Sequence, residues 1–546
     1  MSWITLLPPA VVFVLGFATK RICLSLFTGL LLAAGIATDF SPVGTFSLAF
    51  DDLWKNTGIP MLLSPGNFSK AGNFFIVSFV LCLGILIEMI RHSHAATAFV
   101  DKVEPSIKTS KAAETGTLVL AHCLSIDDYL GSLTVGSVMR PLTDRFKIPR
   151  VKLAFLTDSM SAPLAMITPV SSWAAAIIGF LTENGVHATR ESDTLLLANP
   201  YSLYLSILPY VFYSVTLVLS VWVIVRFRLS FGLMHKHEVI AEQTGNLAGG
   251  KPIGDHQSKP IGRAGHHAGI WDFLVPICTL LGSTFIYILY FGNNKIFGGP
   301  HSFLETLQHV RISLVLFFSG ITALSISGIY YLIKKTFTFQ ETLEVVYHGL
   351  KLMLPVAAIL LFSWTMGDLL RTHLKTGEWL ASLLAGSIPV WLIPLILFWN
   401  ATIVSLALGS SWATTAILLP IALPMVFAMV GAEAPAAPEQ LPIILPVFGA
   451  ILSGAVCGDH ISLISETTIM ATTSAMCDFM DHVKTQLAYS MPVFVGTSIG
   501  FLAGGLLTGI SPGITWIICL TLSAGTSLGM LFSLHYYNKE KIPVTL

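Results

Sequence analysis

The chain has 546 residues, of which 54% are hydrophobic and only 11% charged, against roughly a quarter charged in an ordinary soluble domain. Its 30 basic and 30 acidic residues give a formal net charge of +0, which excludes a global electrostatic pull toward nucleic acid or an acidic partner. The seven cysteines lie mostly in apolar stretches without CxxC spacing, so most read as small buried hydrophobes and not as a disulfide or zinc framework. Apolar runs of about twenty residues, enough to cross a hydrocarbon core of roughly 30 Å, recur at 74–90, 203–225, 273–290, 312–333, 353–364 with its flanks, and 514–534.

The opening run, "MSWITLLPPAVVFVLGFATKR", carries Lys20 and Arg21 after its apolar stretch, the reverse of a cleavable signal peptide, and is expected to stay as a first crossing. Residues 1–71 read as N-terminal scaffold helices. The next loop holds Asp39, Asp51 and Asp52, whereas Arg91, Lys102, Lys108 and Lys111 follow the third crossing. Because short inner loops collect basic residues, the N-terminus is predicted outside.

Residues 72–226 form the first repeat. Within it, 111–150 both begin and end in basic sequence, with Lys108 and Lys111 on one side and Arg140, Arg145, Lys147, Arg150 and Lys152 on the other. A simple crossing would not return positive charge to the same side. A re-entrant hairpin would, and its tip would carry Asp127 and Asp128 from "CLSIDDYLGSLTVGSVMRPLTDR". Non-helical backbone at that depth needs protein or a watery cavity around it. A broken helix, 153–182, follows in "TDSMSAPLAMITPVSSWAAAI", where Pro163 and Pro169 each remove an N–H and clash with the preceding turn.

Residues 227–268 read as a solvated cytoplasmic linker loop, basic and Gly-rich. Its His235, His237, His256, His266 and His267 match no metal-ligand spacing. Scaffold helices at 269–347 come next. The second repeat, 348–508, contains a hairpin at 381–424 with "FWNATIVSLALGSSWATTAILLPIALP", entering from outside beside the basic-free loop "GAEAPAAPEQ" (a full crossing pair would return the chain to the same side equally well), and a broken helix at 441–475. A final helix and tail, 509–546, ends in the basic "HYYNKEK", so the C-terminus is predicted cytoplasmic. The fold class expected is therefore an all-α polytopic membrane protein of roughly 11–13 membrane segments in two inverted repeats, each with a re-entrant hairpin and a broken helix, as in secondary transporters.

The second broken helix, "GAVCGDHISLISETTIMATT", holds Asp459, His460, Glu466, Thr467 and Thr468. An acid at the bilayer centre costs roughly 2.5–3.5 kcal/mol on insertion scales, so Asp459 and Glu466 point to function. Seven positions apart, they would share a face of a regular helix. Other readings stay open for the rest: Asp127 as a helix cap, Asp158 at the membrane interface, and Ser171, Ser172, Ser410 and Ser411 as helix-packing hydroxyls. Hard cations take carboxylate, hydroxyl and carbonyl oxygens, which both halves supply, and burial that disfavours a charged carboxylate lets proton and metal ion compete for it.

At these residues the chain resembles the NhaC family of sodium/proton antiporters, within the ion transporter superfamily. The matching pieces are "SIDDYLGSLTVGSVMRPLTD" with "KLAFLTDSMSAPLAMITPVSSWAAAI", then "LALGSSWATTAILLPIALP" and "GAVCGDHISLISETTIMA". The similarity runs from about residue 72 to about residue 508. The resemblance implies an elevator-type carrier in the cell inner (plasma) membrane, with a scaffold that forms a homodimer and a mobile domain of two hairpins and two broken helices. Carried over by position, the ion- or substrate-binding region includes Asp127, Asp128, Asp158, Ser171, Ser172, Ser410, Ser411, Asp459, His460, Ser465, Glu466 and Thr467, with Asp459, Glu466 and Asp158 as sodium ligands. No cofactor is implied beyond the transported Na+ and H+, and the partners are membrane lipid, cations and, in related exchangers, a small organic acid or amino acid. Relatives commonly show Ser-Pro-hydrophobic-Ser-Asp-Thr-Thr in the last motif, whereas residues 462–468 here lack the proline and carry Glu466 for the aspartate.

Three functions fit these residues to different degrees. The expected one is sodium or lithium exchange for protons by alternating access. The alternative is sodium- or proton-coupled transport of a small organic acid or amino acid, with serines and helix N-termini holding a carboxylate; the absence of a mid-membrane Lys or Arg in the mapped sites tilts against it. An intramembrane hydrolase using Asp158 and Asp459 as a dyad would need the two carboxylates to share a proton. A transporter, not an enzyme, is expected.

Overall fold

In lipid each backbone N–H and C=O has to be satisfied inside its own segment, and this chain meets that demand with helices. The structure, a computed structural model, describes residues 3–19, 21–64, 68, 71–93, 107–191, 194–251, 269–376, 379, 388–463 and 465–541. Among them, 9 helices are long and apolar enough to cross a membrane, or up to 10 with one bent pair taken as a single span. The strands among them are two-residue pieces, Val186–His187 beside Leu196–Leu197. The molecule is a mostly helical, multi-pass membrane protein.

Helices α1 (Leu7–Thr19) and α2 (Ile22–Ala37) pack together, and the amphipathic α3 (Pro42–Asn56) follows behind a Ser41 cap. The long α4 (Gly72–His92) is nearly all buried on one side. After residues outside the described set, Thr109 caps α5 (Ser110–Cys123), whose first turn would otherwise leave N–H groups without partners. The chain turns at 124–127 and returns as α6, assembled from Asp128–Leu130, a π turn at Gly131–Val135, and Gly136–Arg145. The two arms pack against each other.

Next come α7 (Arg150–Ile167) and α8 (Ser172–Glu183), bent by 46° at their junction. The bend lies at 168–171, around Pro169; α7 runs straight through Pro163, so only one of the two expected proline breaks occurs. Pro163 removes one ladder bond, which a helix packed on all sides tolerates. The apolar run 203–225 is not one helix either. It splits into α9 (Pro200–Ile207) and α10 (Phe212–Phe227) around a tight turn, Leu208–Tyr210, because Pro209 fixes its own φ and restricts the residue before it.

The linker departs most from expectation. Residues 232–244 form a helix, α11 (Gly232–Thr244), that packs on the bundle, with Met234, His237 and Ala241 buried. Residues 252–268 of the linker, with His256, His266 and His267, lie outside the described residues. Thus a stretch read as solvated loop is in part a docked helix.

The second half contains α12 (Ile270–Phe291), α13 (Ile312–Ile333) and the 30-residue α14 (Phe339–Asp368), which crosses Pro355 unbroken. The expected hairpin begins in residues outside the described set, 381–387. Its arms are α15 (Ile393–Leu408) and α16 (Ser411–Val430), separated by Gly409 in the left-handed conformation (φ 64°) that ends α15. Then follow α17 (Ile444–His460), α18 (Glu466–Ala475), α19 (Phe479–Leu506) and α20 (Pro512–Lys541). Gly454 and Gly458 of α17 sit directly on the backbone of α15, where any Cβ would collide; close approach through small residues is how helices associate in lipid. Alternate connections share an end of the bundle: Lys55, Thr182, Arg311, Asp368, Glu439 and Ser511 are among the residues that line one common cavity of about 1900 Å³.

All seven cysteines are free, but only Cys457 and Cys519 are fully buried and Cys278 is exposed, so the small-hydrophobe reading holds for a minority.

Candidate functional site

Four helix breaks meet in the middle of the bundle. Two are bordered by acids, Asp127 and Asp128 between α5 and α6 and Asp459 and Glu466 between α17 and α18, and two carry the same tripeptide, Ser-Ser-Trp, at 171–173 and 410–412. Each break exposes the N–H groups of a new helix, and each is closed by its own side chain. Asp127 Oδ1 accepts from the Leu130 N–H (2.9 Å), Ser171 Oγ from Ala174 (3.0 Å), Ser410 Oγ from Ala413 (3.3 Å) and Ser465 Oγ from Thr468 (3.3 Å). α18 begins without a proline, its first turn capped by Ser465.

The breaks are joined by side chains into a ring. Asp128 Oδ2 accepts from Trp173 Nε1 at 3.0 Å, and Trp173 lies against Trp412 with ring centroids 4.5 Å apart and planes inclined by 36°. Beside Trp412, the Ser411 hydroxyl donates to Asp459 Oδ2 at 2.8 Å, and Thr467 donates to the same oxygen at 3.4 Å. Thr467 adjoins Glu466, whose Oε2 accepts from the Tyr129 hydroxyl at 2.8 Å, and Tyr129 adjoins Asp128. A spur leads to Asp158: its Oδ2 accepts from Thr468 (3.1 Å) and contacts His482 Nε2 (3.0 Å), with Asp158 and His482 both fully buried. His460, with its Nδ1 3.3 Å from the Tyr213 hydroxyl, also lies beside Asp158.

The positions singled out in the sequence therefore lie around one centre, with differences of degree. Asp127, Asp128, Asp158, Ser171, Ser172, Ser411, Asp459, His460 and Ser465 are buried. Glu466, expected inside a buried span, is exposed; as the first residue of α18 its carboxylate lies at the positive end of the helix. One oxygen each of Asp127, Asp158 and Asp459, with the Ser172 hydroxyl, is buried without a hydrogen-bond partner. Buried polar atoms are rarely left so. Among the described residues no three His, Cys, Asp or Glu side chains gather into a metal-holding group. Asp158 and Asp459 bond to different threonines, not to each other, which removes the shared proton that an aspartyl hydrolase needs.

Sequence reading missed Tyr129, Trp173, Trp412, Tyr213 and His482. The repeated Ser-Ser-Trp was a signal for two of them. For His482, buried 324 positions along the chain from its partner, no local signal exists.

Membrane-length helices interrupted at mid-bundle, with polar groups gathered at the interruptions, define a secondary transporter and not an enzyme. Residues 164–506 match the Na+/H+ antiporter family, and the chain belongs to that family. An uncharacterized protein of Haemophilus influenzae is 32% identical over 503 residues, 92% of this chain and 90% of the relative. The malate-2H(+)/Na(+)-lactate antiporter of Bacillus subtilis is 29% identical over 206 residues, covering 36% of this chain and 39% of that protein. Among solved structures, the Alcanivorax borkumensis YdaH transporter aligns with a TM-score of 0.48 at 14% identity, covering 82% of this chain and 90% of that one. Neisseria gonorrhoeae MtrF aligns with a TM-score of 0.38 at 13% identity, covering 84% and 85%.

Proposed function

We propose that the protein exchanges sodium or lithium for protons by alternating access, with the ring of four helix breaks as the transport site. The supporting observation is the ring's composition: it joins Asp459 and Glu466 to hydroxyls and Asp128 to the Trp173 indole N–H, and among the described residues it contains no Lys or Arg. A carboxylate that holds either a metal ion or a proton exchanges one for the other by competition. In this reading Asp158, Asp459 and Glu466 take the ion, Asp127, Asp128 and the serines close the site around it, and the two halves act as inverted repeats that move elevator-fashion against a dimeric scaffold. The protein sits in the plasma membrane with its N-terminus outside and its C-terminus inside.

A second reading has one specific observation in its favour. The serine-capped N-termini of α8 and α16 approach each other at the Trp173–Trp412 contact, and paired helix N-termini suit a carboxylate. The relative from Bacillus subtilis carries malate and lactate in its name. In this reading the same acids bind the coupling ion of a small organic acid.

Proton movement across proteoliposomes with an imposed pH gradient separates the two. Dissipation by sodium or lithium alone, lost in Asp459→Asn, is the expected result. Dissipation only when malate, lactate or an amino acid is present would replace exchange with coupled solute transport. Normal transport by Asp128→Asn, Asp158→Asn, Asp459→Asn and Glu466→Gln alike would remove the ring from either.

A further inference from the structure

The helix of the linker is bound to the two helices that hold the Asp158–His482 contact. On one side Glu238 of α11 meets Lys152 of α7 at 2.6 Å, and Lys152 meets Glu114 of α5 at 2.9 Å. The side chains of Lys152 and Glu114 are each 2% exposed. On the other side Asp481 of α19 is met by Lys251 at 2.7 Å and by His237 of α11 at 3.4 Å, and Lys251 also reaches Asp478 at 3.2 Å. Two further contacts reinforce the seat: the Arg150 N–H, at the start of α7, donates to the Leu247 carbonyl at 3.1 Å, and Phe231 stacks on Tyr489 of α19 with centroids 4.2 Å apart.

These anchor points are close to the site along each helix. Lys152 precedes Asp158 by six residues, about 9 Å of helix axis. Asp481 immediately precedes His482. We propose that α11 is a positioning element of the transport site: Glu238, acting through Lys152, and the linker groups on Asp481 set the register of α7 against α19 and hence the 3.0 Å contact between Asp158 and His482. The proposal rests on the sodium/proton reading for its transport measurement only.

The charge count makes a clean variant available. A buried ammonium needs a paired carboxylate, and this cluster has two for one Lys152. Glu238→Gln leaves the Glu114–Lys152 pair neutral and intact while removing the ionic tie to α11, so the chain is expected to fold. Glu238→Asp keeps the charge on a shorter arm.

The test compares wild type, Glu238→Gln, Glu238→Asp and Lys251→Met at equal protein in proteoliposomes, with hydrogen exchange on the same purified proteins. Glu238→Gln and Lys251→Met are expected to raise the KM for sodium about fivefold or more while kcat changes less than about twofold, and Glu238→Asp to recover most of the loss. Peptides covering 153–167 and 479–486 are expected to lose protection in Glu238→Gln, with 273–291 unchanged. Unaltered exchange in those peptides overturns the proposal, as does faster exchange with an unchanged KM, which would make α11 a support without a role in the site. If the wild type moves no protons in response to sodium, the sodium/proton reading fails by itself, and the exchange measurement still decides whether α11 positions the two helices.

Discussion

Asp478 caps α19 by accepting the Asp481 N–H at 3.0 Å, and it also holds Lys251 at 3.2 Å. The backbone bond, then the lysine, keeps its carboxyl below the usual carboxylate range. A depressed acid of this kind stabilises the fold above its unfolded pKa, near 3.9, and the contribution fades as pH falls through the folded value. Asp478→Ala is therefore expected to lower thermal stability at neutral pH by about 1 kcal/mol, the usual worth of a cap, and the gap to wild type should narrow in melting curves taken below about pH 4. Within the ring, Tyr129→Phe removes the hydroxyl that donates to Glu466 while keeping the buried ring. It is expected to weaken sodium-driven proton flux severalfold with little change in melting temperature; flux equal to wild type would place Tyr129 outside the site. Acids were the legible part of this site, because a carboxylate in an apolar run is conspicuous and costly. Ser411, Thr467 and Thr468, which bond to those acids, were legible too; Trp173 was not, since it has the composition of ordinary helix packing until Asp128 gives it a bond.

Among the elements, the helices that close on each other through glycine make the sharpest claim. Gly458 lies against the backbone of α15 near Thr402 and Leu406, with no room for a side chain. Gly458→Leu is expected to cost about 1–3 kcal/mol by overpacking, seen as a lower melting temperature in detergent, and to disturb Asp459, the next residue. Most membrane-length runs were readable from hydropathy, and α4, α12 and α13 occupy nearly the expected residues. Breaks were harder. Proline predicted two interruptions, at 163 and 169, and the chain took only the one at 169, because α7 is packed well enough to carry a missing N–H. At the start of α18 no proline is present, and Ser465 caps the helix.

For the molecule as a whole, alternate loops gather at one end around the large cavity, while Lys152, Glu238, Asp481 and Lys251 gather at the ends of α7 and α19 where the linker docks. Basic residues in the linking loops predict that this second end is cytoplasmic. Single cysteines placed at Glu439 and Lys335 in a chain lacking its natural cysteines would check that. Glu439→Cys is expected to react with a membrane-impermeant thiol reagent on intact cells, and Lys335→Cys only after permeabilisation; the reverse pattern would invert the orientation.

By itself the sequence determined that the chain is helical, membrane-spanning and interrupted at acids and serines, because hydropathy, charge and backbone breakers act locally, within a turn or two of the residue that carries them. Which interruptions face one another was decided only by tertiary packing. Asp128 reaches Trp173, Ser411 reaches Asp459, Tyr129 reaches Glu466 and His482 reaches Asp158 across 45 to 337 positions, and no local pattern encodes a hydrogen bond between groups that far apart. The docked helix of the linker belongs to the same class: its hydropathy is that of a surface loop, and it is the buried Lys152 and the carboxylates around it that hold it in place.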